Sequence, residues 1–540
     1  MMKRAGICII FSFLALFAYS ETYFIDSEEV RTLRRLYTLE GIVFPMNAYP
    51  VNGSDLLEAA QKLPSPVTEK DRNALDSLIQ KFCGQRDAKF LLEGALAVSY
   101  EHHFRTSLVY ADPSPVKNGL DFQRAYLLSD PFLSLGTGGG AFTGVNIEAE
   151  VYVRQQWEYD YAPVNNFFFP SPDNTFAINF NVLNRGVLAW NSEHLDISIG
   201  RDQAHFGNTP GASLYPSLAL PYMDAVRLSV PIGRFSMDYM LASIEPRRAK
   251  EESGIALGDY FGFMLDEVQT AIFSAAHLFH WNFGKVKAGI GANVVYARSN
   301  NMLTITDILP VSIFHNDDMR PNNLTFTLDC SWAFCPGFTL SFMLGFDDIN
   351  GNAIGIGDTS IPTIPAGILQ LEYVFTAPPL AADFLFEAGY THYLWGNYAY
   401  YDLPNNGEDW GNVYLEKAVY RYADRDHGML LPLTSPYGPG TIWGRLKGDL
   451  AFSGFPLRVG ADLLLLSKIK AANLVTTPYE RDDALEKSAR SFYAALDLPC
   501  AYTWRGFSFT ITPSLVVCDG EAAFECTLGA HYRLGGALSL

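Results

Sequence analysis

His277 and His280 have the three-residue spacing of a helical metal pair, but in a strand an odd offset sends two side chains to opposite faces. The adjacent His102 and His103 are separated in the same way, so neither pair predicts a metal site. Gly136-Thr137-Gly138-Gly139-Gly140 has the glycine density of a phosphate-cradling loop without the Lys-Ser/Thr that would follow, and it reads as a flexible turn. His194, His277 and His392 stand without a recognisable serine-nucleophile motif, so an outer-membrane lipid hydrolase is the third and least favoured reading. The expectation is therefore a protein that is not an enzyme and needs no cofactor. The chemically richest stretch is the segment from 396 to 442. Trp395, Tyr398, Tyr400, Tyr401, Asp409 and Trp410 form a candidate glycan-binding set there, because aromatic faces stack on sugar rings and carboxylates accept hydroxyl hydrogen bonds. The same residues also suit an aromatic girdle at a membrane interface with a solvated loop above it.

The elements that would position such a loop are strands of period two. From Val145, the residues Val145, Ile147, Ala149, Val151 and Val153 share one face, and Asn146, Glu148, Glu150, Tyr152 and Arg154 share the other. Leu324, Phe326, Leu328, Cys330 and Trp332 alternate with Thr325, Thr327, Asp329 and Ser331 in the same manner. A strand with charges along one face and hydrocarbon along the other is the wall of a lipid-embedded barrel. Candidate strands fall near 89–104, 119–135, 142–156, 175–190, 193–202, 222–230, 234–245, 269–283, 285–297, 322–333, 337–347, 367–376, 383–395, 443–452, 456–467, 491–504, 507–517 and 522–540. Short links such as Pro231-Ile232-Gly233, Phe283-Gly284-Lys285 and Cys335-Pro336-Gly337 alternate with long ones near 246–267, 298–321 and 396–442. The fold class expected is an all-β transmembrane antiparallel barrel of about 18 strands, with both chain ends periplasmic and 16 strands as the alternative. The last strand, with Phe524, Cys526, Leu528, Tyr532, Leu534 and Leu540 on one face, is the segment that barrel-assembly machinery would read, although Leu540 stands where an aromatic residue is usual.

Composition agrees with that class. Charged residues are 18% of the chain, while 49% is hydrophobic and 14% aromatic, which suits a surface half turned to outer-membrane lipid. Lys3 and Arg4 followed by an apolar run to Tyr19, with Ala18-Tyr19-Ser20 at its end, read as a secretory signal over residues 1–20. The formal charge is −19, or −21 once Lys3 and Arg4 are removed, so nucleic acid is an unsuitable partner. Six cysteines remain beyond the signal, and Cys330 and Cys335, flanking an expected turn, are the disulfide candidate. Glu93, Glu148, Glu150, Arg154, Arg227, Asp238, Glu372, Glu387, Asp462 and Arg533 are expected to line the lumen, with Glu101, Asp196 and Lys287 beside them. They could border a wet pore or pair across a filled one.

Residues 21–88 change to helical periodicity and precede the barrel domain of 89–540. Ser27, Ser54 and Thr68 can cap three helices, and Leu75, Leu78, Ile79 and Phe82 stripe the last. A subdomain this small needs support and is expected to pack on or in the periplasmic mouth. Two stretches carry a resemblance. One is Leu33-Arg34-Arg35-Leu36-Tyr37-Thr38-Leu39-Glu40-Gly41-Ile42 with Tyr49-Pro50 and the helix from Asp55 to Leu63. The other is Gly200-Arg201-Asp202, Gly207-Asn208-Thr209-Pro210-Gly211 and Ala219-Leu220-Pro221-Tyr222-Met223-Asp224. Together they resemble the Wzi-type capsule-assembly family, except that Asn208-Thr209 interrupts the Gly-Pro and the family's tryptophans are absent. The resemblance implies an 18-stranded outer-membrane barrel occluded by a helical bundle and holding surface polysaccharide, and it transfers no binding residue. A porin or solute channel is the competing function.

Overall fold

Strands that are apolar on one face and charged on the other bury both faces only by closing on themselves, and the chain does so. The computed structural model describes residues 22–64, 68–87, 90–105, 133–141, 145–155, 178–179, 183–192, 194–218, 220–244, 270–299, 303, 307, 322–349, 362–396, 416–419, 429–452, 454–472 and 481–539. Wall strands are β1 (Phe90–Arg105), β2 (Leu133–Ala141), β3 (Val145–Gln155), β4 (Ile178–Asn179 and Leu183–Asn191), β5 (Asp196–Asp202) and β6 (Met223–Ile232). They continue as β7 (Phe235–Ile244), β8 (Thr270–Asn282), β9 (Val286–Ser299), β10 (Asn322–Cys335), β11 (Phe338–Asp348) and β12 (Ile364–Ala377). The circuit is completed by β13 (Leu380–Thr391), β14 (Thr441–Phe452), β15 (Leu457–Ile469), β16 (Arg490–Asp497 and Cys500–Trp504), β17 (Phe507–Cys518) and β18 (Glu521–Ser539). Both pieces of β4 pair with β3, and both pieces of β16 pair with β15 and β17, so each is one interrupted strand. Eighteen antiparallel strands thus form a closed barrel, sealed where β18 meets β1 with Gly529 opposite Glu101 and Ser539 opposite Leu91. Closure leaves the described wall without a free edge strand, which is the condition for a sheet to sit in lipid.

The alternation is laid down as the sequence predicts. Phe326, Leu328 and Trp332 project outward and are exposed, while Thr325, Asp329 and Ser331 project inward and are buried. Leu446, Phe509, Ile511 and Leu534 continue the outer apolar band on other strands. Beside the short turns the band becomes aromatic, with Phe338 and Tyr373 stacked at 4.3 Å and Phe334 at 5.6 Å from Phe338, the interfacial ring expected of such barrels.

The glycine run departs from expectation. Gly136–Gly140 lies within β2, paired on one side with β1 and on the other with β3, rather than in a turn; residues 119–132 of the strand expected here lie outside the described residues. Without side chains on alternate inward positions, β2 leaves room beside Glu148 and Glu150 of β3. The candidate disulfide is absent, and both thiols are free. Cys330 and Cys335 share β10, so at about 3.3 Å per residue they lie roughly 16 Å apart, far beyond the reach of a disulfide.

A helical plug, α1 (Glu28–Leu39), α2 (Gly53–Lys62) and α3 (Glu69–Asp87), packs around its own core of Val30, Leu33, Leu36, Leu56, Leu57 and Phe82. Ser27 caps α1 and Thr68 accepts from the Asp71 amide as expected, but α2 starts at Gly53, with Asn52 rather than Ser54 at its cap position. A second core lies inside the wall toward the long-loop end, where Leu214, Met343, Trp395, Trp443 and Tyr493 meet. A Cβ on Gly345 would stand 2.6 Å from the Trp395 ring, so only a bare backbone fits beneath it. Replacing Trp395 by Ala is expected to destabilise the folded protein by about 3–5 kcal/mol. A urea-unfolding midpoint in detergent that matches wild type would contradict this packing.

Candidate functional site

The site is the lumen itself, and three layers fill it from the short-turn end upward. The first is the plug. One face of α1 supplies its core, and the opposite face presents Arg34, Arg35 and Thr38 to the wall. Arg34 clasps Glu372 of β12 with both ends of its fork, at 2.9 and 2.7 Å, and donates to the Asn208 carbonyl at 3.2 Å. Burial opposes the charge on Arg34, and the Glu372 carboxylate more than offsets this, holding the guanidinium above its ordinary value. Arg35 bridges Asp71 of α3 and Asp383 of β13, each at 2.8 Å. Removing one member of a buried pair strands the other charge and costs about 3–5 kcal/mol, so these pairs fix where the plug can sit. Backbone contacts add to them: the Gly337 amide donates to the Thr38 carbonyl at 2.7 Å and the Val43 amide to the Gly284 carbonyl at 2.8 Å, both at short turns. Lys287 donates to the carbonyls of Phe44 and Met46 at 2.8 and 2.6 Å.

The second layer is residues 203–222, the link from β5 to β6, which folds inward instead of outward. His205–Phe206 pairs with Ala48–Tyr49 of the plug, and the Gly207 amide donates to the Asn47 carbonyl at 2.8 Å. A Cβ on Gly207 would lie 2.2 Å from the Met343 methyl, so the segment runs hard against the wall. Its side chains meet wall groups, Asn208 with Asp329 and Tyr215 with Ser274. The third layer comes from the segment after β13. Trp395 donates its indole N–H to Thr434 at 2.9 Å, and the Ser217 amide of the layer below donates to the Leu433 carbonyl at 2.7 Å.

Of the expected lumen residues, Glu148, Glu372, Glu387 and Asp462 are paired. Glu148 is held by Arg185 and by the Thr22 amide at 3.0 Å. Glu387 is fully buried and accepts from Trp443 at 2.7 Å and Gln370 at 2.6 Å, while Asp462 is clasped by Arg445 at 2.8 Å. Glu150 is half-buried in β3, and Arg533 is exposed on β18. Glu93 and Arg154 stand in β1 and β3, with their side chains outside the described residues. His277 packs at 5.0 Å from Tyr239, whereas His280 sits beside Asp329 at 3.0 Å, on opposite faces as the strand offset requires. Of the glycan set, Trp395 is corrected: at 1% exposure it has no free face for a sugar, because it belongs to the lumen core. Tyr398, Tyr400, Tyr401, Asp409 and Trp410 lie outside the described residues. The inward fold of 203–222 was missed, although twenty residues without one Asp, Glu, Lys or Arg are a signal of burial.

A cavity of about 1020 Å³ remains between the plug and the inner faces of β4 to β7, bordered by Asn47, Asp55, Asp196, Arg227 and Asp238.

No protein-family model and no curated protein matches the chain. Among solved structures, one described as Wzi from Escherichia coli, an outer-membrane protein involved in group 1 capsule assembly and a carbohydrate-binding β-barrel, superposes with a TM-score of 0.56. The match covers 94% of this chain and 98% of that one at 11% identity. The fold is that of the Wzi barrel. Two porin-like barrels match less well: OprD of Pseudomonas aeruginosa (TM-score 0.39, 11% identity, 84% of this chain and 98% of that one) and OccAB4 of Acinetobacter baumannii (0.41, 10%, 84% and 100%).

Within this Wzi-like architecture the plug and the inserted segment meet at His205, which is fully buried with neither ring nitrogen hydrogen-bonded among the described residues. Burial, reinforced by Arg34 and Lys287, lowers its pKa to about 3. The unfolded chain therefore takes the proton first, so the stability due to a neutral His205 is complete above about pH 6.5 and is lost as the pH falls toward 3. Asp55, pushed up to about 6, works in the opposite direction but is common to wild type and variant. His205→Phe is expected to remove the acid-sensitive part, so its melting-temperature advantage over wild type should grow from pH 7 to pH 4.5. An advantage that stays constant over that interval would refute the assignment.

Proposed function

We propose that the protein is an outer-membrane barrel that binds surface polysaccharide at its long-loop face and does not conduct solutes. The observation that carries this reading is the joint across the lumen, where the strand Ala48–Tyr49 of the plug pairs with His205–Phe206 of the inserted segment. A channel needs a continuous wet path, and the hydrogen bonds that join the plug to the inserted segment and the inserted segment to the Trp395 layer support the opposite reading. Export through the general secretory pathway, insertion through the C-terminal strand and a periplasmic position for the short turns complete the proposal. The likeness to a carbohydrate-binding barrel supports it at the level of the fold.

The glycan face would be the segment from 396 to 428, where Tyr398, Tyr400, Tyr401, Asp409 and Trp410 combine stacking surfaces with acceptors. The solute-channel reading draws on the cavity of about 1020 Å³ beside the plug and on the exposed Arg533. Binding of the purified protein to polysaccharide extracted from the producing cell separates the two. Trp410→Ala with Tyr400→Ala is expected to weaken that binding at least tenfold while leaving thermal unfolding unchanged, since stacking contributes about 1 kcal/mol or more per ring. Retention of wild-type binding by the double variant would reject the glycan face.

A further inference from the structure

Ahead of α1, Thr22–Tyr23 pairs with Val51–Asn52 of the plug, and Thr22 is tied to the wall. Its amide donates to Glu148 Oε1 of β3 at 3.0 Å, and its hydroxyl donates to the same oxygen at 3.1 Å. Arg185 of β4 donates to the Thr22 hydroxyl and is shared between Glu148 and Asp202 of β5. Glu148 is 5% exposed, so water screens little of what its charge meets. In β2 its register partner is Gly138, and that of Glu150 is Gly136, so no β2 side chain stands beside either carboxylate.

Covalent geometry then limits what can precede Thr22. Bond lengths and angles keep consecutive backbone nitrogens within about 3.7 Å of each other, so the nitrogen of Glu21 falls within roughly 7 Å of the Glu148 carboxylate. In an unprocessed chain that nitrogen is a neutral amide, and Glu21 brings only another negative charge toward Glu148. In a chain that starts at Glu21 it is an ammonium, opposite in sign to a poorly screened carboxylate close by. The sequence places the change at this bond, because Lys3, Arg4, the apolar run and Ala18-Tyr19-Ser20 read as a leader cut after Ser20.

We propose that removal of the leader completes the plug's first anchor: the α-ammonium of Glu21 pairs with Glu148, a contact that the unprocessed chain cannot make. The inference rests on the reading of residues 1–20 as a secretory signal. Hydrolysis of the Ser20–Glu21 peptide bond consumes one water, whose oxygen ends in the Ser20 carboxylate, and frees an amine on Glu21 that takes up a proton at neutral pH. The position of the cut matters, since one extra residue would carry the ammonium about 3.8 Å farther along the chain. Beside a carboxylate the amine holds its proton more tightly than in the unfolded chain. The stability it adds is therefore complete below about pH 8, where the unfolded amine titrates, and is lost at higher pH as the folded amine gives up its proton.

Two mature chains beginning at Glu21, one with a free α-amine and one with it acetylated, test the pair by melting in detergent at pH 7 and pH 10. Glu148, Glu150, Asp202 and Arg185, the ionisable groups on the strands around it, are common to both chains, so their own titration cancels. The free amine is expected to melt about 2 °C or more above the acetylated form at pH 7, with the difference gone at pH 10. Glu148→Gln in both forms should at least halve the difference at pH 7; if that variant fails to fold, the pH profile of the unsubstituted chains decides. N-terminal sequencing of the protein from the producing cell's membranes checks the leader separately. A chain beginning elsewhere than at Glu21 would overturn the cut and with it the cation. Glu21 first, but with a difference that persists at pH 10 or survives Glu148→Gln intact, would overturn the ion pair alone.

Discussion

A sheet surrounded by hydrocarbon has no water to satisfy an open edge, so it must close, and the number of strands that close it fixes the width of what it encloses. Eighteen strands enclose more space than their inward side chains can fill. That single constraint accounts for the rest of the molecule. The lumen has to remain a water-filled tube or be occupied by additional chain, and this protein supplies the chain from two directions, a helical plug at the short turns and the inward-folded residues 203–222 above it.

Filling a barrel with hydrophobic helices alone would leave the inward polar face of every strand unsatisfied, so the filler has to bring charges and amides of its own. Arg34 and Arg35 on one face of α1, the carbonyls of Phe44 and Met46 offered to Lys287, and the Asn47–Gly207 joint meet these demands individually. Such buried pairs add little net stability compared with apolar packing, but they penalise any other docking of the plug, and here they act as the register. The Trp395 core toward the long loops contributes apolar burial instead. The interior is thus polar and specified where the plug enters, and apolar where the chain above it has to stay.

The wall was legible in the sequence because a period of two with charges along one face and hydrocarbon along the other fits few folds besides a lipid-embedded barrel, and segments such as Val145–Gln155 and Asn322–Cys335 state it outright. The helical periodicity of α1 and its cap at Ser27 were equally plain. What was not legible depends on which residues approach one another across the lumen. Trp395 looks like an exposed aromatic until Leu214, from the distant link between β5 and β6, is found folded in against it. Gly136–Gly140 looks like a turn until its neighbours on both sides are known, and Cys330 and Cys335 look like a pair only while the turn is drawn between them, whereas it follows Cys335. Arg34 and Arg35 appeared only as part of a family-like string, since nothing local tells an arginine on an amphipathic helix that its partner lies more than three hundred residues away.

The central claim is that chain folded into the lumen, hydrogen-bonded to itself and to the wall, closes the barrel to solutes. Single-channel recording of the purified protein in a planar bilayer tests it directly. Wild type is expected to insert without steady conductance steps, and deletion of residues 22–87 is expected to produce them, because the hydrogen-bonded base of the seal is then gone. Steady, reproducible steps from the intact protein would contradict the account.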